Sequence, residues 1–142
     1  MVTILKVDNV GDNNQIMPIV FDFQEKFGVS PFDKMLIREV GEHEYLYLFM
    51  NQEELNAFIN LMLEQDMTIH SKTDYTEKLI SLIINNKLHE FTNMFEDMFD
   101  IDAIISEFYN SNITKDNVLD KAIANGFGSL SENDYRILKQ AQ

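Results

Sequence analysis

The first part of the chain alternates apolar and polar residues, a pattern typical of half-buried strands. Residues 2–7 predict a first strand. The run Ile16–Phe23 has large apolar residues at alternate positions and predicts a second strand. Because proline cannot donate a hydrogen bond within a sheet, Pro18 either begins that strand or places it at an edge.

Turn signals divide the segment that follows. Ser30 before Pro31 predicts the start of a short helix or turn, with the serine as its cap and the proline at its first position. Met35–Val40 and Tyr45–Met50 predict a β-hairpin around the turn Gly41–Glu44.

The clearest helix prediction begins at Asn51. Asn51 and Glu54 have the spacing of a capping box, in which each side chain accepts a hydrogen bond from the other residue's backbone N–H. The next apolar residues recur at the spacing of one helix face, at Leu55, Phe58, Ile59, Met62 and Leu63. We therefore predict a helix over 51–65 with Phe58 buried, followed by a returning strand over 67–71. If that strand runs parallel to the second hairpin strand, the crossover is right-handed.

The second half of the chain has helical periodicity throughout. Helices are predicted over 75–84, 87–99 and 101–109, with polar breaks between them. Thr114 and Ser131 are typical N-caps of two further helices. Because the loop between those two helices is short and contains glycine, they are predicted to form an αα-hairpin.

These elements together predict an α+β fold. The chain is expected to form a single domain over 1–142, with a sheet-rich half over 1–72 and a helical half over 73–142. A small sheet of four or five strands would carry one helix, and four to five helices would pack on it. The sequence contains no cysteine, so disulfides, thiolate metal sites and cysteine nucleophiles are excluded.

The chain is strongly acidic, with 24 acidic residues, 11 basic residues and a net charge of −13. Nucleic acids and anionic membranes are bound largely through Lys and Arg, so neither is an expected direct partner. The N-terminus lacks the pattern of a secretory leader, and no apolar run reaches the ~20 residues of a membrane span. We expect a cytoplasmic protein, in a bacterium or a host cell.

The C-terminal hairpin carries one resemblance, on the residues Asn117–Ala122, Gly126–Ser131, Tyr135 and Leu138. They are similar to a short helical hairpin found at the C-termini of bacterial and phage proteins of unknown function, with the pattern L-D-K-I, a gap, G-x-x-S-L-T and a helix that ends in leucine. The chain departs from that pattern at Ala122, where the hairpin has Ile, and at Asn133-Asp134, where it has a Glu pair. The resemblance implies a bacterial or phage origin and no activity.

Motifs of catalysis are absent from the sequence, including G-x-S-x-G and the phosphate-binding G-x-x-x-x-G-K. The three histidines, His43, His70 and His89, lack the spacing of a helical zinc site. We expect them to be solvated or structurally bonded, the alternative being a metal site assembled in space from His43, Glu44 and His70. The acidic clusters lack the spacing of a calcium loop. We therefore expect no catalytic residue, no cofactor and no metal ion that folding requires.

One segment is rich in Met and Phe. Over residues 88–99, large apolar residues recur at helical spacing beside acidic ones. This stripe is either the seam that packs the helix on its neighbours or a partner surface, since Met and Phe are adaptable and common at interfaces. The predicted partner-binding residues are Phe91, Met94, Phe95, Glu96, Asp97, Met98 and Phe99.

These observations favour a non-enzymatic, acidic binding or regulatory protein, encoded by a phage or a bacterium. It would act through contact with a basic protein partner or through self-association into a homo-oligomer. Two alternatives stay open. One is a nucleic-acid mimic that inhibits a DNA-binding enzyme, with carboxylates in rows at phosphate-like spacing. The other is a small metal-dependent enzyme that uses His43, His70 and nearby acids.

Overall fold

The computed structural model describes residues 1–8, 13–95 and 101–140. It confirms the predicted α+β class. The chain divides into two compact units, Met1–Tyr75 and Thr76–Gln142, slightly beyond the boundary predicted between the sheet-rich and helical halves. Within the part of the chain that is described, no helix has the length and apolar character needed to cross a membrane.

The first unit is built on a four-stranded antiparallel sheet. Its strands, in the spatial order β2-β3-β1-β4, are β1 (Thr3–Asp8), β2 (Met35–Val40), β3 (His43–Leu48) and β4 (Ile69–Asp74). The predicted first strand and the two hairpin strands are therefore confirmed, and the returning strand predicted over 67–71 lies at Ile69–Asp74. Because β1 pairs antiparallel with both β3 and β4, those two strands are parallel to each other and β1 lies between them.

The second predicted strand, Ile16–Phe23, is wrong, because these residues lie in helix α1 (Asn13–Phe27). The apolar residues here fit both periods. Ile19 and Phe23 are four apart and buried in the core, whereas Phe21, which strand alternation groups with them, is 64% exposed. Packing on the sheet thus selects the helical period over the alternating one.

The ends of α1 and of the turn after it follow from local chemistry. Pro18 lies inside α1, where its missing N–H costs one backbone hydrogen bond. Gly28, at φ +75°, ends the helix and donates its N–H to the carbonyl of Gln24. Ser30 then accepts a hydrogen bond from a backbone N–H and caps a 3-10 turn over Pro31–Lys34, as predicted.

The hairpin turn is tighter than predicted. Gly41 and Glu42 alone join β2 to β3, and Gly41 has the positive φ, +62°, that such two-residue turns favour. His43 and Glu44, which were predicted in the turn, are the first residues of β3. Successive strand residues point to opposite faces, so their side chains lie on different sides of the sheet.

Helix α2 (Gln52–Glu64) packs with α1 on one face of the sheet. The predicted capping box is confirmed, since Asn51 and Glu54 each accept a hydrogen bond from the other's backbone N–H. The second carboxylate oxygen of Glu54 lies 2.7 Å from Lys34 Nζ. Leu63, the last residue of the predicted apolar stripe, is 53% exposed and therefore does not belong to the buried face. The core includes Leu5, Phe23, Leu48, Leu55, Phe58 and Met62.

The second unit is helical, with α3 (Thr76–Ile84), α4 (Leu88–Thr92), α5 (Ile101–Asn112), α6 (Lys115–Asn125) and α7 (Glu132–Gln140). The helix predicted over 87–99 is interrupted, because α4 gives way to a 3-10 turn at Asn93–Phe95. The caps of the C-terminal hairpin are confirmed. Thr114 forms a capping box with Asn117, and Ser131 accepts a hydrogen bond from the N–H of Asp134.

Candidate functional site

An apolar cavity of about 170 Å³ lies on the face of the sheet that carries α1 and α2. This volume suits one large side chain and is smaller than the ~300 Å³ or more of most sites for drug-sized ligands. The walls come from α1, the 3-10 turn, the β2–β3 hairpin and α2, and include Ile16, Val20, Pro31, Phe32, Ile37 and Leu46.

Two glutamates line the same cavity. Glu39 of β2 and Glu44 of β3 are directly opposite each other in the hairpin register. Opposed positions of a sheet hold their side chains close together, so the two carboxylates concentrate negative charge at one place on the wall. We call this space the acidic cavity, because its walls are apolar and these two glutamates contribute its negative charge.

Exposed apolar side chains adjoin the acidic cavity. Met17 of α1 is one helical turn from Val20, which lines the cavity, and also one turn from Phe21. Met17 and Phe21 are 46% and 64% exposed. Phe32 lines the cavity itself and is about half exposed. A ligand seated in the cavity can therefore extend over further apolar surface.

A different kind of cluster lies on the opposite face of the sheet, formed by Asp8, His43 and His70. Asp8 and His43 are directly opposed in the β1–β3 register, and His70 comes from β4 on the other side of β1. His70 Nε2 lies 2.6 Å from Asp8 Oδ1, and His43 Nδ1 lies 3.4 Å from the same oxygen. The two imidazole rings pack edge to face with their centroids 4.9 Å apart.

Hydrogen bonding and burial set the electrostatics of this cluster. The hydrogen bond with His70 holds the pKa of the Asp8 carboxyl below its usual value. His43 Nδ1 is shielded from solvent and has no hydrogen-bond partner among the described residues. The 3.4 Å between this nitrogen and Asp8 Oδ1 would make an ion pair only with a protonated imidazole.

The structure brings together two of the three residues in the metal alternative drawn from the sequence. His43 and His70 meet, but Asp8 takes the place of Glu44, whose side chain is on the other face of the sheet. His89 lies in α4, in the other unit. Sequence reasoning missed Asp8 because only the β1–β3 register shows that it faces His43.

The predicted partner-binding residues fall into two groups. Phe91 and Phe95 are 0% and 2% exposed, with their ring centroids 5.1 Å apart, and Met94 is half-buried. This burial is what the packing alternative leads one to expect for these positions. Residues 96–99, which hold the predicted residues Glu96, Asp97, Met98 and Phe99, lie outside the described residues.

The second unit also buries an ion pair that sequence reasoning did not single out, between Lys121 and Asp134. A signal for it existed. Lys121 and Ala122 follow the buried Val118 by three and four residues, which is one helical turn. The pattern therefore places a lysine on the buried face of α6. Both charged side chains are almost completely enclosed, which indicates a structural role.

Comparison with known proteins gives this chain no relative. No protein-family model, curated protein or solved structure matches it. The resemblance of the C-terminal hairpin therefore stays a prediction.

Proposed function

We propose that this protein is a non-enzymatic binding protein whose acidic cavity receives an apolar side chain of a protein partner, with a neighbouring Lys or Arg held by Glu39 and Glu44. The observation that supports this most directly is the pair of opposed carboxylates lining an otherwise apolar cavity. Apolar walls favour burial of an aliphatic or aromatic group, and the two carboxylates favour a cation beside it.

The size and surroundings of the cavity favour a protein segment over a small ligand. A volume of about 170 Å³ suits an anchoring side chain, and interfaces commonly depend on a few such anchors in fitted pockets. Phe32 at the cavity and Met17, one helical turn from the cavity residue Val20, offer exposed apolar surface where flanking residues of a bound segment would pack. The net charge of −13 would also attract a basic partner over distance.

The first test uses two capped peptides and the full chain. One peptide carries a leucine beside two arginines, and its matched control has glutamates in place of the arginines. We expect the basic peptide to bind, as measured by fluorescence anisotropy, and its association to slow as salt is raised. Equal binding of the acidic peptide would contradict the proposal.

Charge reversal identifies the site. Glu39→Lys with Glu44→Lys should lower the affinity for the basic peptide by about tenfold or more, and a tenfold loss corresponds to ~1.4 kcal/mol. The matched control is Glu53→Lys with Glu64→Lys, which makes the same change of net charge on exposed positions of α2. An equal loss in the control would show that net charge alone, and not the cavity, attracts the peptide.

Apolar contact is tested in the same way. Phe32→Glu alters the mouth of the acidic cavity, and Leu63→Glu makes the same replacement at a similarly exposed residue that does not line it. Only the first should reduce peptide affinity. Sedimentation equilibrium on the unmodified chain tests whether a second copy of this chain fills the cavity instead. A dimer that Phe32→Glu abolishes would show this and contradict the proposal.

A further inference from the structure

We propose that Asp8, His43 and His70 form a binding site for a divalent transition-metal ion, with Zn²⁺ as the probe ion. The site is separate from the acidic cavity, since His43 and Glu44 are on opposite faces of the sheet. The inference therefore does not rest on the proposed function.

The convergence of the three side chains is a property of the sheet. Asp8 ends β1, His43 begins β3 and His70 is near the start of β4, so three neighbouring strands bring their ligands to one end of one face. One ligand atom from each residue lies within 4.8 Å of the other two. Because the residues are far apart in sequence, this constellation depends on the folded sheet.

The donor set suits a transition metal. Two imidazole nitrogens and one carboxylate oxygen are ligands that Zn²⁺ takes in proteins, and imidazole favours Zn²⁺, Cu²⁺ and Ni²⁺ over Mg²⁺ or Ca²⁺. Three protein ligands leave at least one coordination position for water or for another donor. His43 Nδ1 is shielded from solvent and has no hydrogen-bond partner among the described residues. It already lies near Asp8 and can serve as a metal-ligand atom.

The distances need only a small adjustment. Two ligand atoms of a tetrahedral zinc site are ~3.3 Å apart, given metal–ligand bonds of ~2.0–2.1 Å. His43 Nδ1 and Asp8 Oδ1 are already 3.4 Å apart. His70 Nε2 and Asp8 Oδ1, at 2.6 Å, would have to separate. Both of those side chains are substantially exposed, at 37% and 55%, so they have room to move.

The binding test is a calorimetric titration of the full chain with ZnCl₂, after treatment with EDTA and dialysis. We expect one equivalent of Zn²⁺ to bind. Zn²⁺ affinity should fall by at least ~10-fold in each of the variants His43→Gln, His70→Gln and Asp8→Asn. Even the loss of a residue that only hydrogen-bonds to a metal ligand typically lowers metal affinity by ~10-fold, and these three residues are the proposed ligands themselves. His89→Gln is the matched control, because it removes the remaining histidine of the chain and should leave the affinity unchanged.

Two further results would overturn the proposed ligand set. One is equal affinity in the His43→Gln, His70→Gln and His89→Gln variants. The other is a loss of affinity in Glu44→Gln without a loss in Asp8→Asn, which would assign the carboxylate to the other face. Circular dichroism of each variant before titration confirms that a change in affinity does not reflect unfolding.

A spectroscopic readout reports the same site independently of heat. The chain has three histidines, so the imidazole C–H signals in its proton NMR spectrum can be assigned by the three variants. We expect Zn²⁺ to shift the signals of His43 and His70 and to leave those of His89 in place. Shifts of all three histidines alike, or of none, would contradict a specific site.

The ion should be bound by the fold and not required for it. The core of the first unit is formed by apolar residues such as Leu5, Leu48 and Phe58 without the histidines. We therefore expect the EDTA-treated protein to unfold cooperatively, and saturating Zn²⁺ to raise its melting temperature, because a ligand that binds only the native state stabilises it. At the same Zn²⁺ concentration, a smaller shift in each Asp8, His43 or His70 variant, against an undiminished shift in His89→Gln, is the supporting pattern. A protein that is unfolded in EDTA would contradict this description.

Discussion

Lys121 Nζ lies 2.7 Å from Asp134 Oδ2, and this ion pair joins α6 to α7 inside the C-terminal hairpin. The two residues are 5% and 0% exposed. The same carboxylate oxygen accepts hydrogen bonds from the backbone N–H and the hydroxyl of Ser131, at 2.8 and 3.0 Å. A single oxygen thus combines an ion pair with the cap of α7, so disturbing either interaction disturbs both.

Removing the lysine should destabilise the protein severely. Lys121→Met leaves Asp134 buried without its countercharge, and breaking one partner of a buried pair costs ~3–5 kcal/mol. Adding Asp134→Asn to this variant removes the buried, unpaired charge and should restore part of the lost free energy of unfolding. Urea unfolding measures both, with Lys139→Met, at an exposed position of α7, as the matched control. A cost below ~1 kcal/mol for Lys121→Met would mean that the pair is solvated.

Alkaline pH should destabilise the protein partly through Tyr109. Burial, with a further contribution from the nearby Asp134 charge, raises the pKa of Tyr109 well above its usual value. As pH rises past ~10, Tyr109 ionises in the unfolded state while it stays neutral in the folded state, so the free energy of unfolding decreases. This contribution is fully present below pH ~10 and is lost as pH rises toward the folded-state pKa.

Tyr109→Phe tests this directly. The variant should show a smaller loss of stability between pH 9 and 11 than the unmodified protein, as measured by urea unfolding at each pH. The matched control replaces the exposed Tyr135 by Phe. Parallel pH profiles for Tyr109→Phe and the unmodified protein would refute the role given to this hydroxyl.

The buried face of α2 should dominate the stability of the first unit. Phe58 is 4% exposed and its ring meets that of Phe23 edge to face, at a centroid distance of 6.2 Å. Phe58→Ala should cost ~3–5 kcal/mol, since it removes a buried ring and leaves a void. Leu63→Ala, on the exposed side of the same helix, should change stability by no more than ~0.5 kcal/mol. Similar costs for the two would mean that α2 packs through a different face.

The partner surface predicted for residues 88–99 can be separated from the acidic cavity by charge reversal. We expect Glu96→Lys with Asp97→Lys to leave the melting temperature nearly unchanged. If the 88–99 segment and not the acidic cavity receives the basic peptide, the variant should slow association of the peptide more than Glu53→Lys with Glu64→Lys does, because charges beside a binding surface mainly steer the encounter. Stopped-flow anisotropy measures the rates. Equal rates in the two variants would remove the 88–99 surface from consideration.

Elements with a local signal could be predicted from the sequence. The capping box of Asn51 and Glu54 fixes the start of α2 through bonds between residues three apart, and Ser131 does the same for α7. The segment Ile16–Phe23 could not be assigned, because its apolar residues fit both a strand and a helix. Only the contacts of Ile19 and Phe23 with the sheet decide between the two periods.

The candidate sites depend on long-range register, which one sequence does not show. Glu39 and Glu44 face each other only because the hairpin turn has two residues instead of the four predicted, which changes which strand residues are opposed. Asp8 meets His43 and His70 only because β1 lies between β3 and β4. The residue types were visible in the sequence, but their juxtaposition follows from the order of the strands.

The central position of β1 has a consequence for how the chain folds as it is synthesised. In chain order, β1 is made before both of its neighbours, since β3 ends at Leu48 and β4 ends at Asp74. Until both have emerged, β1 has unpaired backbone groups on at least one side, and such an edge favours association with other chains. Nearly the whole first unit must therefore be translated before its sheet can close, which makes slow, long-range strand pairing the expected course of its folding.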